Sequence, residues 1–375
     1  MSLADEDRRY LRELFDRQLE VGLHHGAQLA VYHEGELVVD FAGGQPHPDG
    51  GTETSDQRHI LFSCTKPYAG AAVHRLAEQG ELDYDDPLVE YWPAFAEEGS
   101  AKAGITVRQV LSHQAGIPFG EFDEQVGEWT DWEAAVAAME AIDPVFEPGS
   151  QPAYHAMNYG WLVGELVGRV TGRSIRDYCA EHVFEPLGMD DTGIGLAPEE
   201  DPDVATLHGF AIPDRCREPA DGLETEPADA AALFNSEAIQ RAVIPAANGV
   251  GTARDMARFY ACLANGGELD GTRLLEEGTV REATRLHAEA EVDGTLERPS
   301  RYALGFAKGG LPTDRFGTVS HERQFGHGGL GSSFAWGDPQ EEVAFAYVTN
   351  GVRDGAFEHH ARVTLLVDAV RELVA

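Results

Sequence analysis

Two side chains in the first fifth of the chain have the types and the spacing for nucleophilic chemistry. They are Ser63 and Lys66, the ends of a Ser-Cys-Thr-Lys run, and residues three apart on a helix lie on one face. A serine hydroxyl needs a neighbouring base before it attacks a carbonyl, and a lysine can be that base when burial lowers its pKa. The rest of the 28 basic residues are arginines apart from Lys102 and Lys308. We therefore predict a chemical role for Lys66, against the alternative of an N-cap serine followed by a surface lysine.

Pro67 indicates where the helix carrying this pair begins. Proline is tolerated in the first turn of a helix, where its missing N–H has no partner to lose. A helix through Ala69 to Gln79 should therefore begin at about Cys64. Ser63 would then lie at the positive end of the helix dipole, among free backbone N–H groups that could form half of an oxyanion hole.

Tyr154 is a candidate for sharing the proton. It follows the turn Glu147-Pro148-Gly149 and precedes a predicted helix from Gly160 to Thr171, so it should lie on a loop at a helix entrance. A phenolate is stabilised by an adjacent ammonium. A tyrosine on a loop is also a common packing residue, and the residues alone leave that alternative open.

A glycine-rich segment, residues 325–332, opens a predicted strand near the C-terminus. Glycines at the start of an edge-like strand suggest close approach of the backbone to a bound substrate. The N–H of Leu330 could complete the oxyanion hole. The predicted substrate-binding residues are His327, Gly328, Gly329 and Trp336. The alternative is a glycine-rich hairpin with an ordinary, partly buried histidine.

Helix and strand patterns place these residues in an α+β fold. Apolar residues at helical spacing predict a helix at each end of the chain. Strands are predicted at Gln28–His33, Glu36–Ala42, Tyr302–Ala307, Ser332–Trp336 and Val343–Thr349, with a hairpin turn at Glu34-Gly35. We expect one catalytic domain over residues 1–375, with an antiparallel sheet built from both chain ends, about 1–62 and 300–375, and flanked by the terminal helices. A mostly helical insertion covers about 63–299, including a long irregular loop from Ala197 to Asn248.

Composition limits the class of protein, its expected location and its expected cofactors. The 375 residues are 42% hydrophobic, enough for a large core. No run of about 18 apolar residues predicts a membrane span, and Met1–Arg9 is not a signal peptide, so we expect a cytoplasmic protein. The four cysteines show no zinc spacing, and no metal or other cofactor is expected. The adjacent histidines His24-His25 and His359-His360 are predicted to be surface residues rather than metal ligands.

The charge of the chain is the second strong signal. With 65 acidic residues against 28 basic ones, the formal net charge is −37. This excess is spread along the chain and combines with a scarcity of lysine, a pattern typical of proteins adapted to molar internal salt, where the Debye length is about 3 Å. We predict a halophilic protein that loses structure in dilute buffer. The same field repels phosphate and argues against nucleic-acid binding.

The order of these segments resembles the serine β-lactamase and penicillin-binding-protein superfamily, and most closely its class C-like esterases, the family VIII carboxylesterases. Further segments carry the resemblance over nearly the whole chain: Val110 to Ile117, Asn248 to Asp255 with Ala264 to Gly267, and Gly326 to Gly329 with Asp338-Pro339 and Thr349-Asn350. The resemblance implies a β-lactamase-like fold. It also implies that Ser63 is acylated, that Lys66 and Tyr154 are the base and acid, and that the N–H groups of Ser63 and Leu330 form the oxyanion hole.

Two departures from the family bear on the substrate. Tyr154-His155-Ala156 replaces the Tyr-x-Asn of class C β-lactamases, and His327-Gly328-Gly329 replaces their Lys-Thr-Gly, which helps to hold the β-lactam carboxylate. The resemblance therefore favours hydrolysis of small carboxylic esters. A β-lactamase, a peptidase or amidase for D-amino-acid substrates, an acyltransferase with the same triad and a catalytically idle scaffold remain alternatives, and the oligomeric state is left open.

Overall fold

The structure is a computed structural model that describes residues 4–210, 227–312, 314–353 and 356–374. The helices, in chain order, are α1 Asp5–Glu20, α2 Lys66–Gln79, α3 Val107–Leu111, α4 Trp132–Ala141, α5 Asn158–Thr171, α6 Ile175–Cys179, α7 Glu185–Leu187, α8 Pro227–Phe234, α9 Glu237–Arg241, α10 Ala253–Ala264, α11 Glu277–Thr284 and α12 Ala356–Val374. The strands are β1 Gly26–His33, β2 Glu36–Gly44, β3 His59–Ile60, β4 Gly193–Ile194, β5 His208–Phe210, β6 Gly249–Gly251, β7 Glu268–Leu269, β8 Thr272–Arg273, β9 Ala288–Ala290, β10 Ser300–Tyr302, β11 Ala307–Lys308, β12 Phe325–Gly328, β13 Ser333–Asp338, β14 Val343–Thr349 and β15 Gly351–Arg353.

One eight-stranded sheet organises the chain, in the order β2-β1-β14-β13-β12-β11-β10-β9. β1 pairs with β14 in antiparallel register, so strands from the two chain ends lie side by side at its centre. The β1–β2 turn uses Glu34 and Gly35, both with positive φ, as a tight two-residue hairpin favours. The α+β fold with a sheet built from both chain ends is confirmed, while the subdomain boundaries stay a prediction.

Each face of the sheet has its own hydrophobic core. α1 and α12 pack on one face through residues such as Phe15 and Leu366, together with Trp336 and Phe345 of the sheet. α10 packs on the opposite face, where its core continues into the helical region between the chain ends. β13 and β14 are buried on both faces, so the centre of the sheet lies between these two cores.

Several local predictions differ from the structure. The predicted strand Tyr302–Ala307 is two antiparallel strands, β10 and β11, that reverse direction at Gly305, where φ is +83°. Phe325–Gly328 forms a strand of its own, and it lies inside the sheet between β11 and β13 rather than at an edge. The loop predicted from Ala197 to Asn248 contains β5, α8 and α9, and its residues 211–226 lie outside the described residues.

The prediction that both histidine pairs lie on the surface is wrong for one member of each pair. His24 is buried, and its Nδ1 lies 2.8 Å from the hydroxyl of Tyr347. His359 is also buried, where its Nδ1 accepts a hydrogen bond from Arg362. His359 and His360 are successive residues of α12 and so point in different directions, while His24 and His25 lie in the connection between α1 and β1, where only His24 turns into the core.

Candidate active site

Ser63 lies at the entrance to α2. A 3₁₀ turn over Ser63–Thr65 leads into the helix, and Pro67 occupies its first turn as predicted. Phe62 has φ +47°, which is uncommon for a bulky residue and marks a constrained backbone immediately before the serine. Thr65 accepts a hydrogen bond from the N–H of Gly249 at 2.7 Å. The local sequence and this long-range contact together present a partly exposed Ser63.

The side chain of Lys66 is fully buried and directed at that serine. Its Nζ lies 3.1 Å from Ser63 Oγ, 2.7 Å from the carbonyl oxygen of Ala156 and 3.0 Å from that of Ala246. No carboxylate among the described residues pairs with it. Burial therefore lowers the pKa of Lys66 from 10.5 to about 7, so a large fraction of the amine is neutral at physiological pH.

Tyr154 lies on the loop before α5 and meets the same two side chains. Lys66 Nζ is 4.9 Å from the centre of its ring. Burial raises the pKa of the Tyr154 hydroxyl, and a hydrogen bond with Ser63 partly opposes that rise. Tyr154 thus remains a phenol at neutral pH. The structure brings Ser63, Lys66 and Tyr154 together.

The glycine-rich segment packs against the serine from the sheet side. Gly329 donates to the carbonyl of Ser333 at 2.8 Å. A Cβ at Gly329 would lie 2.1 Å from Ser333 Oγ and 2.5 Å from the carbonyl oxygen of Leu61. Cys64 Sγ also donates to the carbonyl of His327 at 3.1 Å. The close backbone approach predicted for this segment is therefore made to the chain around Ser63, and only glycine fits there.

His327 faces the site without a positive charge. Its Nδ1 lies 2.9 Å from the carbonyl oxygen of Gly328, and its ring centre is 6.0 Å from that of Tyr154. Burial, with a smaller contribution from Lys66, lowers the pKa of His327 to about 3. The imidazole is therefore neutral and does not replace the cation of a lysine at this position.

The two predicted oxyanion-hole donors are the backbone N–H groups of Ser63 and Leu330. Within the part of the chain that the structure describes, neither donates a hydrogen bond to a backbone carbonyl. Leu330 follows Gly329 in the turn after β12, and its side chain is 50% exposed. Both N–H groups thus meet one requirement of an oxyanion hole, which is to be free for the ligand.

Trp336 does not line the site, and its prediction as a substrate-binding residue is wrong. The side chain has no exposed surface and stacks on Phe345, with ring centres 5.9 Å apart. It belongs to the core under α1 and α12, whereas Ala335, the next residue on the strand, lies opposite His327. Alternation along the strand therefore directs Trp336 away from Ser63.

Three residues near the site were missed by sequence reasoning. His113, with φ +61°, accepts a hydrogen bond from the N–H of His155, and its ring centre is 4.8 Å from that of Tyr154. The carboxylate of Asp293 accepts from the N–H of Tyr154 at 3.0 Å. Arg315 Nη1 lies 2.7 Å from the point where a Cβ on Gly328 would be.

Arg315 is unusual in a chain so rich in carboxylates. No hydrogen bond or ion pair joins its guanidinium to any described residue. Burial lowers the pKa of Arg315 to about 10, so it stays charged at neutral pH. A positive charge therefore lies next to the Gly328 backbone, although the lysine and threonine of Lys-Thr-Gly are absent.

Neither a cysteine nucleophile nor a metal site is found in this region among the described residues. Burial raises the pKa of Cys64 to about 11, which makes the neighbouring thiol a poor nucleophile at neutral pH. The described residues hold no cluster of His, Cys, Asp or Glu placed to bind a metal ion, and their helices include none able to span a membrane. A nucleophilic hydroxyl, a partly neutral amine, a phenol and two free N–H groups are the parts needed for acyl transfer.

Comparison with known proteins points in the same direction. The family model described as Beta-lactamase matches residues 11–369. The esterase/beta-lactamase LipL of Mycobacterium tuberculosis is 37% identical over 345 residues, which cover 87% of this chain and 77% of LipL. A family VIII carboxylesterase superposes with a TM-score of 0.84 at 30% identity, covering 100% of this chain and 99% of its own. A penicillin-binding protein homologue from Caulobacter crescentus gives a TM-score of 0.83 at 34% identity, with 99% and 98% covered.

Proposed function

We propose that this chain, which belongs to the beta-lactamase family of serine hydrolases, hydrolyses small carboxylic esters through an acyl-enzyme on Ser63. The observation that carries the proposal is the 3.1 Å contact between Ser63 Oγ and the buried, carboxylate-free amine of Lys66. A lysine paired with a carboxylate would hold its proton, whereas this one loses it near neutral pH.

In the proposed acylation step, Ser63 Oγ attacks the ester carbonyl carbon and its proton moves to Lys66 Nζ. The N–H groups of Ser63 and Leu330 stabilise the oxyanion that forms. As the intermediate collapses, the carbon–oxygen bond to the alcohol breaks. The alcohol oxygen takes a proton from Tyr154, which recovers one from Lys66. One ester has then become a serine ester and a free alcohol.

In the proposed deacylation step, a water molecule takes the place of the alcohol. As its oxygen attacks the acyl carbon, its proton passes to the Tyr154 oxygen while the Tyr154 hydroxyl gives its own proton to the neutral amine of Lys66. Collapse breaks the bond to Ser63 Oγ, which takes that proton back from Lys66, and the carboxylic acid leaves. The overall balance is ester plus water to acid plus alcohol, and no cofactor takes part.

The region around His327 supports esters over β-lactams. The neutral imidazole cannot pair with a carboxylate, and Gly328 has no hydroxyl to donate to one. The chain resembles a family VIII carboxylesterase along its whole length. We expect hydrolysis of p-nitrophenyl butyrate to exceed that of the β-lactam nitrocefin by orders of magnitude.

A second candidate substrate class is supported by Arg315. Its guanidinium, without a partner among the described residues, lies beside Gly328, so an ester that carries a carboxylate could pair with it. Such substrates include hemi-esters of dicarboxylic acids. A β-lactam carboxylate could use the same guanidinium, but it would still lack the lysine and threonine of Lys-Thr-Gly. An Arg315→Ala variant should then lose activity toward a succinate mono-ester while it keeps activity toward the uncharged butyrate ester.

The direct test is hydrolysis of p-nitrophenyl butyrate in high KCl, with labelling by a fluorophosphonate. Ser63→Ala should abolish both, and Lys66→Ala should abolish turnover. The matched control is Ser100→Ala, because Ser100 is an exposed serine on a surface turn, and this variant should keep both activities. An unchanged rate in either site variant would refute the proposal.

A further inference from the structure

Asp293 is a buried carboxylate held by four hydrogen-bond donors and by no cation. Its side chain is 1% exposed. Oδ1 accepts from the N–H groups of Tyr154 at 3.0 Å, Thr295 at 2.9 Å and Leu296 at 2.9 Å. Oδ2 accepts from the hydroxyl of Tyr302 at 2.8 Å. No lysine, arginine or histidine forms an ion pair with it within the described chain, so its charge is compensated by these donors alone.

Two of the four donors bear directly on Tyr154. One is its own backbone N–H. The other belongs to Tyr302, whose ring is nearly parallel to the Tyr154 ring, with an interplanar angle of 16° and ring centres 6.5 Å apart. The ring of His113 contacts both, at 4.8 Å from Tyr154 and 4.7 Å from Tyr302. Asp293 therefore fixes the tyrosine at its backbone and, through Tyr302 and His113, at its ring.

The loop that carries Asp293 is fastened to the segment before Tyr154. Gly294 donates to the carbonyl of Pro152 at 3.2 Å. A Cβ at Gly294 would lie 2.9 Å from the Cβ of Ala153. The connection between β9 and β10 thus runs along residues 152–154, and Asp293 is the charged group at their contact.

We propose that Asp293 is a positioning residue that holds Tyr154 in register with Ser63 and Lys66. The inference rests on the proposed function, in which Tyr154 carries a proton. Burying a carboxylate without a cation is costly unless every donor is well placed. Since two of the four donors hold Tyr154, loss of the carboxylate should release the ring, and a displacement of about 1 Å in a reacting group can lower a rate about 100-fold.

The test is a double-mutant cycle between Asp293 and Tyr154, read as kcat and KM for p-nitrophenyl butyrate per folded molecule. Asp293→Ala should lower kcat by about 10- to 100-fold and leave KM within about twofold. In a Tyr154→Phe background the same change should lower kcat by less than about twofold, because the group being positioned is already absent.

The control is Asp255→Ala. Asp255 is also a buried carboxylate, and it accepts from a backbone N–H and a hydroxyl, those of Asp191 and Thr192, without contact to a site residue. This variant should lose stability but keep kcat per folded molecule. Circular dichroism and thermal melting give the folded fraction. Should Asp293→Ala fail to fold, Asp293→Asn keeps an oxygen for the three N–H groups, loses the acceptor for Tyr302, and enters the same cycle.

Three results separate the possibilities. An equal fold-loss of kcat with and without Tyr154 would overturn the positioning role and leave Asp293 purely structural. An unchanged kcat in the single Asp293 variants would overturn it as well. Full activity of Tyr154→Phe alone would overturn the role of Tyr154 in the proposed function, and this is visible before Asp293 is changed.

Discussion

Lowering the pH should titrate Lys66 and switch off the hydrolase. Acylation needs the neutral amine, and burial lowers the pKa of Lys66 to about 7. With that value about half of the amine is neutral at pH 7, about one-tenth at pH 6 and about one-hundredth at pH 5. We therefore expect kcat/KM to fall about tenfold per pH unit below 7 and to level off above pH 8.

Within the part of the chain that the structure describes, no histidine near the site can produce the same profile. Burial lowers the pKa of His327 to about 3, that of His155 to about 4 and that of His113 well below 6.5. A histidine base would therefore keep the enzyme active down to pH 5. The position of the acidic limb distinguishes a lysine base from a histidine base without any substitution.

The assay is kcat/KM for p-nitrophenyl butyrate from pH 5 to 9 in high KCl, read at the isosbestic wavelength of nitrophenol. Circular dichroism at each pH shows that the protein remains folded, and return to pH 8 should restore full activity. A limb with its midpoint below pH 5, or a flat profile, would refute the assignment of Lys66 as the base. Substitution of Lys66 by arginine should abolish activity at every pH, since arginine does not give up its proton.

Three further predictions concern stability. Gly329→Ala should lower the free energy of unfolding by about 1–3 kcal/mol and remove activity, because the new Cβ would meet Ser333 Oγ and Leu61 O. The control is Gly278→Ala in α11, which should be neutral or stabilising because nothing lies within 4 Å of its Cβ. Equal urea midpoints for the two variants would contradict this prediction. The melting temperature should rise steeply with KCl from about 0.1 to 3 M as salt screens the net charge of −37, and independence of KCl would sink the halophilic interpretation. Burial lowers the pKa of His74 from 6.5 to about 4, so the unfolded state binds more protons than the folded state between pH 6.5 and pH 4. About 3 kcal/mol of unfolding free energy should therefore be lost as the pH falls across this range. His74→Gln should remove that part of the pH dependence of urea unfolding.

The sequence predicted those residues of the site that can be identified from their neighbours along the chain. Serine and lysine three residues apart, followed by a proline that can stand only in a first turn, specify both the contact and the helix that holds it. Tyr154 could be found by its place before a helix and by the order of segments along the chain. These predictions needed no knowledge of which loops meet.

The residues that the sequence could not reveal act across long separations. Asp293 is 139 positions from Tyr154, and nothing in the run Glu-Val-Asp-Gly marks it among 65 acidic residues. Arg315 reaches Gly328 through the folding of a loop before β12. Trp336 was misplaced for another reason, since β13 is buried on both faces and so shows no apolar and polar alternation to indicate which side chains face the site.

The few lysines of this chain share burial, and their rarity alone does not show that any of them is catalytic. All three lysines are buried: Lys66 is 0% exposed, Lys102 4% and Lys308 5%. Burial also lowers the pKa of all three, that of Lys102 and of Lys308 to about 8. A low pKa alone therefore does not identify the base. Lys102 Nζ donates to two carbonyl oxygens, those of Met139 and Glu140, which have no proton to give. Among the described residues, Lys66 is the one lysine with a serine hydroxyl within hydrogen-bond distance, so the catalytic inference depends on Ser63 as much as on the lysine.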